Sequence, residues 1–78
     1  MTITEELHAE LNVILLYTLE TTQEGIKVHK NADPAKIAAI KRLYDKGLVT
    51  QVDGGYLTDL GRELAEHVQS TVRIMTSA

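Results

Sequence analysis

Cysteine is absent from the 78 residues, as are tryptophan and phenylalanine, and there is a single proline. Without cysteine there are neither disulfides nor a thiolate metal site, the usual staples of small scaffolds. A domain this size buries only roughly 60% of the surface its unfolded chain exposes, so packing or self-association has to supply the stability. Long apolar runs are missing too. The longest, Val13 to Tyr17, falls far short of the ~20 residues that span a bilayer, so no membrane partner is expected. The opening Met1-Thr2-Ile3-Thr4-Glu5-Glu6 has no basic stretch followed by an apolar one, which argues against a secretory signal and for a cytoplasmic location. No repeat, low-complexity tract or Pro/Gly/Ser-rich linker interrupts the sequence, so residues 1–78 are expected to form one domain.

Positive charge is missing from the first 24 residues, which carry five acids and no base, although the whole chain is only at −3. Residues 25–50 hold six bases, Lys27, Lys30, Lys36, Lys41, Arg42 and Lys46, against Asp33 and Asp45, a surplus of four. A net negative charge argues against strong non-specific nucleic-acid binding, but the segregation concentrates cations where phosphates could be met.

Local signals define the elements. Thr2 or Thr4 can cap a first helix with Glu5 and Glu6 in its first turn, running to about Thr21. Its middle is apolar nearly all round, and a second subunit would cover it. Residues 22–29 read as a short helix or irregular turn, because Gly25 and β-branched Val28 weaken a helix there. Asp33 followed by Pro34 opens a well-marked third helix, Ala35 to Lys46, closed by Gly47. Residues 48–58 form a β-hairpin around Asp53-Gly54-Gly55, and Thr58 caps a last helix on which Leu60, Leu64, Val68, Val72 and Met75 recur at nearly four-residue spacing. The expected fold is mainly α with one short β-hairpin.

Helix, short helix, helix, hairpin, helix is the order of a winged helix-turn-helix domain. The runs Arg42-Leu43-Tyr44-Asp45-Lys46-Gly47-Leu48-Val49 and Asp53-Gly54-Gly55-Tyr56-Leu57-Thr58-Asp59-Leu60-Gly61 resemble the signature at the third helix and wing of many bacterial regulators, over about residues 33–66. The whole chain, notably residues 22–29 and 47–56, also resembles an uncharacterised family of short bacterial proteins, some of which carry the name "DNA-binding protein inhibitor Id-related". The winged-helix resemblance implies a homodimeric DNA-binding regulator. Its third helix would lie in the major groove, with Lys36 and Arg42 near bases and Lys27, Lys30, Lys41 and Lys46 at phosphates. Its first and fourth helices would form the dimer interface through Leu11, Leu15, Leu64, Val68 and Val72. Two departures stand against it. No base lies between Gly47 and Gly61, where a wing that enters the minor groove presents Arg or Lys, and the start of the third helix offers mostly alanines for base readout. The alternative is a winged-helix adaptor that binds another protein through its first and fourth helices and never meets DNA.

Other chemistry is poorly represented. His8, His29 and His67 are far apart and form no H-x-x-x-H pair, so no metal site is expected. Glu5, Glu6 and Glu10 read as an acidic solvent-facing flank, and Lys41 and Arg42 are spaced to pair with Asp45. His29 between two lysines reads as solvated loop or as part of a phosphate-facing patch. No nucleophile stands beside a base, so neither an enzyme nor a cofactor is expected.

Overall fold

The computed structural model describes residues 1–19 and 25–77. Its first helix, α1 (Glu5–Ile14), starts where Thr4 Oγ1 accepts a 3.1 Å hydrogen bond from the Leu7 N–H, as the sequence predicts. It ends well before Thr21. Beyond Ile14 the backbone tightens into three-residue steps, with the Leu16 N–H donating to Val13 O and the Tyr17 N–H to Ile14 O. Tertiary contacts hold this early turn. The Tyr17 ring is buried, its hydroxyl donates to the Gly55 carbonyl at 3.2 Å, and its own carbonyl accepts from Gln69 Nε2 at 2.8 Å.

No second short helix follows among the described residues. Of the segment 22–29, residues 22–24 lie outside the described residues, and Ile26–Lys27 form a strand, β1. β-Branched Ile26 and Val28 suit an extended backbone. Pairing continues past the strand, because the Val28 N–H donates to Asp53 O at 2.8 Å. The helix then marked by Asp33-Pro34 is α2 (Pro34–Asp45), with the Ala35 N–H on Asp33 Oδ1 at 2.9 Å. At its other end Gly47 takes φ +77°, the Gly47 N–H donates to Tyr44 O and the Leu48 N–H to Leu43 O. This pair of bonds is a Schellman closure, and it needs the left-handed conformation that glycine adopts freely.

Strands β2 (Val49–Gln51) and β3 (Gly54–Leu57) form the predicted hairpin. With β1 they make a three-stranded antiparallel sheet in the order β1-β3-β2, rather than a hairpin alone. The last helix, α3 (Asp59–Thr76), is therefore the third and not a fourth. Thr58 caps it and also ties it to α2: its hydroxyl accepts from the Gly61 N–H at 3.0 Å and donates to Gly47 O at 2.6 Å. Gly61 is pressed against the Leu48 carbonyl, which a Cβ would overlap.

One core joins these elements. Ile14, Ile40 and Leu43 are its largest fully buried side chains, with Val13, Tyr17, Val28, Ala39, Leu48, Val49 and Ala65 around them. Burial of each large aliphatic side chain contributes about 1.5–3 kcal/mol. The apolar stripe on the last helix divides. Leu64 and Val68 pack against the core, while Leu60, Val72 and Met75 remain exposed. Four-residue steps overshoot the helical repeat by about 40° each, so the stripe winds off the face that α3 turns toward the core.

Candidate anion-binding face

The six cations of the middle segment come from three places: Lys27 from β1, Lys30 from the turn before α2, and Lys36, Lys41, Arg42 and Lys46 from α2 and its cap. The fold separates them into two sets.

Arg42 and Lys46 face α1, and the residue that draws them there is Glu10. Its place on a helix start rich in acids suggests a solvated side chain, yet it is 4% exposed, the one buried charged residue among the described residues. Arg42 Nε donates to Glu10 Oε2 at 3.1 Å, Lys46 Nζ bonds Glu10 Oε1, and Arg42 also donates to the Glu6 carbonyl at 3.2 Å. Burial alone pushes the Glu10 carboxyl up. The hydrogen bonds and charges of Lys46 and Arg42 outweigh that effect and hold it below the ordinary carboxylate value. The expected Arg42–Asp45 pair is replaced by these longer-range contacts, because Arg42 projects toward α1 rather than along its own helix. Two of the six cations expected at DNA, Arg42 near bases and Lys46 at a phosphate, thus hold α1 against α2. The start of α2 expected to read bases is also modest: Ala35, Ala38 and Arg42 border a shallow groove whose other wall includes Glu5 and Glu6.

The second set stays in solvent. Lys27, Lys30 and Lys41 border one cleft together with His29, and Asp53 at the hairpin turn lines it too. Lys36 stands apart, beside His8 and Asn12 over a depression between α1 and the start of α2. Among the described residues no ion pair engages any of these four lysines.

Of the residues expected at an interface, Leu11, Leu15, Leu64 and Val68 are half-buried and Val72 is exposed. The largest exposed apolar side chains on α3 lie elsewhere, at Leu60, Ile74 and Met75. Sequence reasoning gave no role to Tyr17 or Gln69 and placed Glu10 on a solvent-facing flank, which its burial corrects. For Glu10 one signal was available: among Glu5, Glu6 and Glu10, it alone lies within the apolar-periodic stretch that begins at Leu7. Among the described residues no helix is long and apolar enough to cross a membrane.

Comparison with curated proteins and with solved structures gives no match. A family model does match, over residues 1–76, and the chain belongs to that family, described as a family of unknown function (DUF5669).

Proposed function

We propose that the chain is a DNA-binding, transcription-regulatory protein of the winged-helix type that acts as a homodimer and holds double-stranded DNA mainly by its phosphates. The observation that carries this reading is the second set of cations: Lys27, Lys30, Lys36 and Lys41 are exposed and without an acidic partner among the described residues. Exposed, unneutralised lysines suit phosphate contact, whereas Arg42 and Lys46 are already engaged by Glu10. Base readout in this reading is weak, and Asp53, which lines the cleft beside Lys27, Lys30 and Lys41, leaves a surplus of two positive charges there for phosphate.

Fluorescence anisotropy with a mixed DNA fragment pool tests it. Four phosphate contacts per protomer give a slope of log affinity against log salt of about −3.6 per protomer, and Lys36→Ala should flatten it by about 0.9. A slope near zero, or no binding at low salt, overturns the proposal.

The adaptor reading is favoured by one observation of its own, the exposure of Leu60, Ile74 and Met75 on α3. Under it, Ile74→Asp removes partner binding and leaves the fold intact by circular dichroism, while Lys36→Ala has no effect on partner binding. The homodimer is read separately from light scattering, where Val72→Asp should shift a dimer to monomer.

A further inference from the structure

The cleft between β1, α2 and the hairpin turn combines two chemistries that a phosphate backbone does not use together. It has a volume of about 430 Å³, within the range of ~300–1,000 Å³ typical of small-molecule sites. Val28 and Ile40, both buried, and half-buried Ile37 line it, together with Val52, which is 52% exposed. Lys27, Lys30 and Lys41 bring three positive charges to its border against the one negative charge of Asp53, and His29 adds a ring that can donate a hydrogen bond. We propose that this cleft binds a small organic anion with an apolar tail, a medium-chain carboxylate in chemistry, its tail over Ile37 and Val52 and its carboxylate among the lysines.

The charge pattern and the lining select this class against its neighbours. A bare phosphate satisfies the lysines but leaves the aliphatic lining in water. An uncharged alcohol or hydrocarbon covers the lining and leaves the surplus of two positive charges without a counter-ion. An aliphatic amine meets a surplus of positive charge. A monoanion with a carbon chain uses both parts, and charge-assisted hydrogen bonds from lysine fix its orientation. Because Lys27, Lys30 and Lys41 also belong to the proposed phosphate set, such a ligand would displace DNA. The cleft's affinity for it does not depend on DNA binding at all, and the two readings fail in different assays.

The experiment is an amide chemical-shift titration of the full chain with octanoate, and with inorganic phosphate and 1-hexanol as separate probes. Octanoate should shift the amides of Val28, His29, Lys41 and Asp53 saturably, with phosphate and hexanol each at least about tenfold weaker at those amides. The Lys30→Ala/Lys41→Ala double variant, altered only at exposed positions, should weaken octanoate about tenfold. Equal binding of phosphate or of hexanol, shifts centred on Ile74 and Met75, shifts that do not saturate, or an unchanged affinity in the double variant would each overturn the proposal.

Discussion

The two flanks of α2 carry the same kind of side chain in opposite circumstances. On the flank that meets α1, Arg42 and Lys46 close on a carboxylate that is almost entirely removed from water. On the flank that meets β1 and the hairpin turn, Lys41 stands with Lys27 and Lys30 around an open cleft, with no ion pair among the described residues. A buried charge that loses its partners is strongly destabilising, whereas an exposed lysine contributes little to folding. Cations on the first flank therefore answer to stability, and those on the second are free to answer to a ligand. The count of bases in residues 25–50 hides this division.

The largest expected effect breaks the first flank. Glu10→Gln removes the negative charge between Arg42 and Lys46, whose side chains are 29% and 48% exposed and can turn to water. It should destabilise the chain by about 2 kcal/mol through the lost charge-assisted hydrogen bonds, measured as a lower urea midpoint with an unchanged slope. Acid sharpens the same point. The Glu10 carboxyl is held below its ordinary value in the folded chain, so its contribution is fully present above the unfolded value near 4.5 and is lost as pH falls through the lower folded value. The gap between native and Glu10→Gln chains should hence be widest near neutral pH and close progressively below pH 4.5. A gap that stays constant from pH 7 to 3 would mean that the pairing contributes nothing.

A smaller effect is expected at the turn after α1. Tyr17→Phe removes the hydroxyl bond to Gly55 and should cost about 1 kcal/mol. Burial pushes the Tyr17 hydroxyl up to about 12 from 10.0. The folded chain thus disfavours the phenolate, and the stability present below pH 10 should fall as the pH rises from 10 toward 12. Tyr17→Phe should remove that alkaline loss, which a pH series of thermal melts would show. The smallest effect belongs to the second flank. Lys30→Ala with Lys41→Ala should move stability by no more than about 0.5 kcal/mol, while weakening whatever anion the cleft holds. A loss above 1 kcal/mol would place those lysines with Arg42 and Lys46 and erase the distinction.

What the sequence disclosed about the fold was the part written locally. The caps at Thr4, Asp33 and Thr58 and the closure at Gly47 involve bonds across two to five residues, and each can be read from residue type and position alone. The misread parts depend on partners far along the chain. Glu10 looks solvated until α2 brings Arg42 and Lys46 to it from 32 and 36 residues away. β1 is two residues long beside a glycine, and what makes it a strand is its pairing with Gly54 and Gly55. The early end of α1 follows from Tyr17 reaching Gly55 and Gln69. Of the candidate site, the lysines and their clustering in the middle segment were legible. Their division into an engaged and an open set was not, since it depends on which way α2 faces.

The junction at Thr58 has a mechanical consequence. One hydroxyl bonds both the end of α2 and the start of α3, the Thr58 N–H donates to the Leu48 carbonyl at 3.1 Å, and Gly61 leaves no gap against that same carbonyl. The two helices meet at a welded elbow rather than a swivel. Further along, Gln69 of α3 holds the Tyr17 carbonyl at 2.8 Å, so the helix is anchored at its start and again at its middle. The exposed end that carries Ile74 and Met75 is an outrigger of the core rather than an arm swung by α2.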